Sequence, residues 1–150
     1  MSTSIDDLEH MLDFELIDFF KYFNFYRGYH TSETQVSGRA YNLKLNIGTN
    51  LFLMKYAVSK KVNHKTNLKR LSNSMEQMKI HNGIYITTQP ISVDLVQLAS
   101  ARAIEVIDKS QLELKLAEVR NRIEKDARIN GYDIERPLHE LIDEMYPNRI

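Results

Sequence analysis

The chain opens with apolar residues at helical spacing. The positions of this apolar stripe are Leu8, Leu12, Leu16, Phe19 and Phe23. The spacing predicts a helix from about Ser4 to Phe23. Glu15 lies three residues after Leu12 and four before Phe19, so a helix directs its carboxylate toward the apolar side. Two explanations stay open: a boundary position at which the carboxylate reaches solvent or a nearby base, or a functional carboxylate.

From Tyr41 onward the hydrophobic period changes to two. Apolar side chains at Tyr41, Leu43, Leu45 and Ile47 alternate with polar ones at Asn42, Lys44 and Asn46. This alternation predicts a strand with one buried face, preceded by a short extended segment from Tyr29 to a turn at Ser37-Gly38. A hairpin turn at Gly48-Thr49-Asn50 leads to a partner strand over 51–58, which is apolar except for Lys55. A cation inside a central strand requires an explanation.

A helix followed by a βαβ unit is predicted next. Asn63 is a candidate cap for a helix that runs to about Ile80, with Gly83 as its stop. Its inner stripe is expected at Leu68, Leu71, Met75 and Met78. A short strand over 84–88, a helix over 92–102 and a second strand over 104–108 then form a unit with two parallel strands.

Two helices are predicted at the C-terminal end. Ser110 and Glu113 have the spacing of a capping box and open a long helix that Gly131 closes, and Pro137 suits the first turn of a last helix. We therefore expect an α/β core over 1–116 and a C-terminal helical extension over 117–150 packed on the same domain. These two helices either cover the sheet or provide a homodimer interface.

Composition limits the classes of protein that fit. A length of 150 residues with 43% apolar content suits one domain with one core. The absence of cysteine excludes disulfides, thiolate zinc sites and cysteine nucleophiles. The first nine residues are polar and acidic, and no apolar run approaches the roughly 20 residues that span a bilayer. We expect a soluble, cytoplasmic protein without a membrane partner.

Charge is unevenly distributed although the formal net charge is zero. Residues 1–20 contain six acids and no lysine or arginine, whereas residues 52–82 contain seven bases and one acid, Glu76. The bases of that segment are Lys55, Lys60, Lys61, Lys65, Lys69, Arg70 and Lys79. Such a segment either binds phosphates or forms a solvated helix face, and composition does not choose between the two.

Common catalytic motifs are absent from the sequence. It contains no Walker loop, no Gly-x-Gly-x-x-Gly, no Gly-x-Ser-x-Gly and no His-Glu-x-x-His. The five histidines lack close ligand spacing, so no metal site is predicted from them. What remains is an ordered set: a glutamate on the first helix, a polar strand residue, a lysine on the next strand, a basic helix and the βαβ unit.

This ordered set resembles the Mrr-type branch of the restriction-endonuclease-like superfamily, the PD-(D/E)XK nucleases. Phe14-Glu15 is similar to the helix signature of that branch, and Gly28-Tyr29 to the turn that follows. The segment Gly-Ile-Tyr-Ile-Thr-Thr at 83–88, the helix after Ser92 and Ile-Glu-Val-Ile-Asp at 104–108 resemble its characteristic ending. The resemblance spans about 13–116 and implies a restriction-endonuclease-like core, a mixed sheet flanked by helices.

The resemblance also implies a site. In that superfamily a strand carboxylate and a second acidic or Gln position hold a metal ion, and a lysine two residues later activates water or stabilises charge. The matching positions here are Asn42, Leu53 and Lys55, with Glu15 on the first helix. Because Mg²⁺ prefers charged oxygen ligands, the site is expected to be degenerate, with no cofactor. Lys55 would then pair with Glu15 as a partly buried ion pair.

Three hypotheses follow. The first is a degenerate nuclease-like protein that binds nucleic acid, with double-stranded DNA as the expected partner, through Lys60, Lys61, Lys65, Lys69 and Arg70. The second is an active Mg²⁺-dependent endodeoxyribonuclease with an unconventional site, in which a carboxylate such as Glu33 or Glu76 has taken over the metal role. The third is a protein-interaction or assembly module. All three share one fold.

Overall fold

The computed structural model describes residues 5–10, 19–21, 23–24, 30–37, 40–59, 61–136 and 138–145. Within this part of the chain the elements are α1 Ile5–His10, β1 His30–Ser37, β2 Ala40–Ile47, β3 Asn50–Ala57, α2 His64–Met78, β4 Asn82–Thr87, α3 Val93–Ala101, β5 Ile104–Ile107, α4 Lys109–Ile129 and α5 Leu138–Met145. Residues 19–21 and 23–24 are also helical. The α/β class expected from the sequence is confirmed.

The strands form one mixed sheet in the order β1-β2-β3-β4-β5. The first three strands are antiparallel neighbours along the chain, and Gly48 turns the β2–β3 hairpin at a φ of 64°. A positive φ suits glycine because it has no Cβ. The crossovers through α2 and α3 make β3, β4 and β5 parallel, so the predicted βαβ unit is confirmed. The extended segment expected from Tyr29 is a full strand, β1.

The two faces of β3 build two separate apolar clusters. Met54, Tyr56 and Val58 belong to the larger cluster, which includes Leu43 and Leu45 of β2 and buried residues of α4. Leu53 and Ala57 belong to the smaller cluster, formed with α2 and α3. Alternation along the strand places Lys55 on the α2 side, between these two residues. The sheet thus separates α2 and α3 from α4.

The N-terminal stripe is partly described. Leu8, Phe19 and Phe23 are fully buried in the larger cluster, as the helical spacing predicts. Leu12 and Leu16 lie outside the described residues. Phe20 also contributes, because its ring stacks on that of Tyr56 with centroids 3.8 Å apart. These contacts fix the helical residues around position 20 against the central strand.

Helix α2 begins where the sequence predicts and ends earlier. The Asn63 side chain accepts a hydrogen bond from the Thr66 amide at 3.1 Å, so the predicted cap is confirmed. Lys79 adopts the left-handed conformation, and the amide of Ile80 donates to the Met75 carbonyl, which closes the helix. The prediction that Gly83 stops the helix is wrong, because Gly83 lies within β4.

Helix α4 is capped by a residue other than the predicted one. Asp108 directly follows β5, and its carboxylate accepts a hydrogen bond from the Gln111 amide at 3.3 Å. The hydroxyl of Ser110 donates to the same carboxylate at 3.1 Å, so Ser110 supports the cap but does not form it. Gly131, with a φ of 77°, follows the helix as predicted.

The long α4 helix runs through residues 116 and 117, where the core and the extension were expected to divide. Its buried residues, Leu112, Leu116, Val119, Ile123 and Ala127, all pack in the larger cluster. Leu141 of α5 is buried in the same cluster. Pro137 lies outside the described residues. None of the helices in the described ranges is long and apolar enough to cross a bilayer.

Candidate functional site

Lys55 lies at the centre of the sheet and is almost completely buried. Its residue exposure is 5%, and its neighbours on the same face of β3, Leu53 and Ala57, are both apolar. Burial lowers the pKa of the Lys55 ammonium below its ordinary value of 10.5, because desolvation disfavours the charged form. The nearby charge of Arg70 lowers the pKa further, as like charges repel. The charge of Arg70, which is exposed on α2, therefore acts on the buried ammonium of Lys55.

Sheet register aligns the positions that the resemblance singles out on the strands. Asn42 of β2 pairs directly opposite Lys55, and Lys44 pairs opposite Leu53. Residues directly opposite on antiparallel strands have Cβ atoms about 4.5–5.5 Å apart. The backbone thus brings Asn42 and Lys55 together although they are thirteen residues apart in sequence. Glu15 lies outside the described residues, so its pairing with Lys55 remains a prediction.

The described residues around Lys55 do not fit a divalent metal ion. Leu53, which the resemblance matches to the second metal position, is 1% exposed and packs among hydrocarbon side chains. It offers no oxygen, and two cations, Lys55 and Arg70, would repel a metal ion. In the described part of the chain no three His, Asp or Glu side chains come together as a metal site. The described residues around Lys55 therefore do not offer a divalent metal ion the anionic oxygen ligands that it prefers.

A hydrogen-bond network beside Lys55 was not anticipated from the sequence. Tyr85 of β4 pairs with Lys55 in the parallel register and is fully buried. Its hydroxyl lies 3.0 Å from His64 Nδ1 and accepts a hydrogen bond from Asn67 Nδ2 at 3.3 Å. Burial raises the pKa of Tyr85 to about 12, so the hydroxyl stays protonated at neutral pH.

The contact of the other ring nitrogen of His64 shows which atom donates in each hydrogen bond of this ring. Nε2 lies 2.9 Å from the carbonyl oxygen of Pro90, and a carbonyl only accepts. Nε2 therefore donates to Pro90, and in the neutral ring Nδ1 accepts from the Tyr85 hydroxyl. The network joins the first turn of α2 to β4 and to the loop before α3.

A sequence signal for this network did exist. The buried stripe of α2, Leu68, Leu71 and Met75, continues toward the N-terminus at helical spacing through His64 and Asn67. Two polar side chains on a buried stripe require partners. The sequence does not show which strand supplies the partner, because Tyr85 lies 21 residues from His64.

Exposed cations form a surface around the N-terminal half of α2. This surface, here called the basic patch, consists of Lys61, Lys65, Lys69 and Arg70, all exposed. Lys65 and Lys69 lie four residues apart, so they share one face about 6 Å apart along the axis. Glu76, in the C-terminal half, is the single acid of α2. Lys60 lies outside the described residues.

The position of these cations is unfavourable for the helix itself. The first turn of α2 contains no acid, and Lys65 lies there beside the positive end of the helix dipole. A cation at that end is disfavoured by roughly 0.3–1 kcal/mol, the reverse of its effect at the C-terminal end. Because Asn63 already accepts from the Thr66 amide, the lysines are the groups here that would attract an anion.

Neither a scan against protein-family models nor a search of curated proteins found a match for this chain.

Proposed function

We propose that this chain binds nucleic acid, with double-stranded DNA as its ligand, through the basic patch of a degenerate restriction-endonuclease-like domain. The observation that carries the proposal is the group of exposed cations on α2, Lys61, Lys65, Lys69 and Arg70, on a chain whose formal net charge is zero. Lys60, predicted for the same interface, is adjacent in sequence. Contacts of lysine and arginine with phosphates supply affinity without reading sequence.

The arrangement of elements supports the restriction-endonuclease-like part of the proposal. A strand with Asn42, a strand with Lys55, a basic helix and the βαβ unit follow one another in the order on which the resemblance is based. Lys55 lies on the third strand, directly opposite Asn42 on the second. This is the relative placement expected for the strand residues of a PD-(D/E)XK site.

The described part of that site supports binding rather than cleavage. An ordinary metal-dependent nuclease needs oxygen ligands beside its lysine, and Leu53 supplies none. Arg70 lies close enough to affect the pKa of Lys55 and is itself exposed. A phosphate held by the basic patch would therefore lie near the strand lysine without a metal to activate water.

The proposal can be tested with a fluorescent DNA duplex titrated with the whole chain in EDTA at low salt. We expect binding that the double substitution Lys65→Ala/Lys69→Ala weakens. The matched control is Lys125→Ala/Arg128→Ala, which removes two exposed cations from α4, on the other side of the sheet. An equal loss of DNA affinity in both double variants, or no DNA binding by the wild type, overturns the proposal.

The same samples test cleavage. After addition of Mg²⁺ or Mn²⁺ the DNA is examined for nicks, and we expect none. Metal-dependent nicking that disappears in Lys55→Ala would show an active endonuclease and overturn the degenerate site. Competition with duplex RNA measures whether the ligand is DNA, because a duplex RNA that competes equally would contradict the choice of DNA.

A further inference from the structure

Two exposed amide side chains lie on the outward side of α2. The inward side of this helix is marked by Leu68, Leu71 and Met75, which are buried against the sheet. At about 100° per residue, Asn73 and Gln77 both lie within roughly 30° of the opposite direction. Both residues are exposed, and neither side chain forms a hydrogen bond with another residue in the described ranges. Their donors and acceptors are therefore open to a ligand.

Cations lie on both sides of these amides. Counted around the helix in the same way, Lys65 and Lys69 are on one flank of α2 and Arg70 is on the other. None of the three forms an ion pair with a residue that the structure describes. The outer surface of α2 thus has positive charge on each flank and uncharged hydrogen-bonding groups between the flanks.

This arrangement is complementary to the major groove of duplex DNA. The groove is about 12 Å wide and accepts an α-helix, whose diameter with side chains is about 10–12 Å. A phosphate backbone forms each wall of the groove, and the edges of the bases form its floor. The cations on the flanks can therefore contact both walls while the amides between them face the base edges.

Adenine is the base that fits these amides. The side chains of Asn and Gln each contain a donor and an acceptor, which together match the N6 amino group and the N7 acceptor of adenine. In zinc fingers, helix residues three apart contact successive bases, so residues four apart reach neighbouring base pairs. We propose that α2 enters the major groove of DNA and that Asn73 and Gln77 read adenines at neighbouring base pairs. This inference rests on the proposed DNA binding and adds a sequence preference to it.

Helix stability does not explain the residues in the middle of α2. A solvated helix face accounts for polar side chains there, but Ser72, Asn73 and Ser74 are all weaker helix formers than alanine, lysine or glutamate. Their side chains offer hydrogen-bonding groups at the expense of helix propensity. A function in hydrogen bonding to a ligand accounts for that choice.

Glu76 is the group of α2 that opposes docking in the groove. It lies on the same flank as Lys65 and Lys69, closer to the C-terminal end of the helix, and would face a phosphate of the groove wall. Glu76→Gln should therefore raise the DNA affinity about two- to fivefold at low salt and leave the base preference unchanged. An affinity that this substitution does not raise would contradict the orientation of α2 in the groove.

The first test selects binding sites from a random pool of DNA duplexes with the full chain in EDTA. We expect the wild type to enrich adenines at neighbouring base pairs and Asn73→Ala/Gln77→Ala to bind the pool without this enrichment. The matched control is Gln111→Ala/Asn121→Ala, which removes two exposed amides from α4 and should enrich the same sites as the wild type. Alanine is favourable at exposed helix positions, and circular dichroism confirms that each variant is folded.

Replacement of the enriched adenines by 7-deazaadenine tests the contact itself. This analogue lacks the N7 acceptor in the major groove but keeps its Watson–Crick pairing. We expect the wild type to lose about fivefold or more in affinity for the replaced duplex. The Asn73→Ala/Gln77→Ala variant should bind the two duplexes equally.

The outcomes separate this inference from the proposed function. A wild type that enriches no adenines, a double variant that enriches the same sites, or an unchanged wild-type affinity for the replaced duplex overturns the inference. In each of these cases salt-dependent binding by the wild type still supports the proposed function, because the salt dependence reports contacts with phosphates. A wild type that binds no DNA overturns both.

Discussion

The hydroxyl oxygen of Tyr85 lies 3.0 Å from Nδ1 of His64, and this hydrogen bond joins β4 to the first turn of α2. The same turn carries Lys65 of the basic patch. Tyr85 is also the parallel-strand neighbour of Lys55. One buried tyrosine thus connects the strand lysine to the helix that presents the surface cations.

Removing this hydroxyl should destabilise the protein. Tyr85→Phe keeps the ring but leaves His64 Nδ1 and Asn67 Nδ2 without their partner, and stranding partly buried polar groups costs about 1–3 kcal/mol. The free energy of unfolding in urea measures the loss. Tyr132→Phe, at a half-buried tyrosine packed against the larger cluster, is the control, with an expected change within about 0.5 kcal/mol. Equal effects in both variants would contradict the role given to the network.

The lowered pKa of Lys55 predicts a pH dependence of stability. Between its folded-state pKa and 10.5 the unfolded chain binds a proton at this lysine that the folded chain does not, so stability rises with pH. Lys55→Met removes this contribution. The difference in unfolding free energy between wild type and Lys55→Met should therefore move in favour of the wild type as pH rises.

Urea unfolding of both proteins from neutral pH to just below 10.0 measures this difference. The upper limit is set by Tyr85, whose raised pKa has the opposite effect. Between 10.0 and about 12 the unfolded tyrosine is ionised and the folded one is not, so stability falls as pH rises. A difference between wild type and Lys55→Met that stays constant over the lower range would show that the Lys55 pKa is not lowered.

Close packing at Gly83 predicts a cost for even one methyl group. A Cβ at this position would lie 2.6 Å from Met75 Sδ and 3.1 Å from Ile104 Cγ1. Gly83→Ala should therefore destabilise the protein by about 1–3 kcal/mol, as overpacking does in other cores. Thermal or urea unfolding measures the change.

A double-mutant cycle identifies the cause of that cost. Met75→Ala removes the side chain that the new methyl group would meet, so the double variant should be more stable than the sum of the single effects by about 0.5 kcal/mol or more. Additive effects would indicate that Gly83→Ala acts through the backbone of β4 and not through Met75.

The local pattern of apolar and polar residues predicted most of the fold, because a strand or helix that buries one of its faces has apolar residues at period two or at helical spacing. The hairpin of β2 and β3, the Asn63 cap and the βαβ unit were all predicted in this way. The prediction was wrong about which residue ends α2. Gly83 was expected to end α2, but the helix ends at Lys79, which adopts the left-handed conformation. Gly83 lies in β4, where it packs closely against Met75 and Ile104.

The candidate site was less predictable, because its contacts join distant parts of the chain. Lys55 was identified as anomalous from its apolar neighbours alone. Its relation to Arg70 and the network of Tyr85, His64 and Asn67 depends on how α2 lies on the sheet. Spacing on one helix places His64 and Asn67 on the buried face but does not identify Tyr85 as their partner.

The salt dependence of DNA binding tests the central claim most directly. If Lys61, Lys65, Lys69 and Arg70 each contact a phosphate, a plot of log K against log salt concentration should have a slope of roughly −3.6, from about −0.9 per contact. Lys65→Ala/Lys69→Ala should reduce this slope to roughly −1.8, while Lys125→Ala/Arg128→Ala leaves it unchanged. A wild-type affinity that does not vary with salt, or a slope that the first pair of substitutions leaves unchanged, would contradict binding through the basic patch.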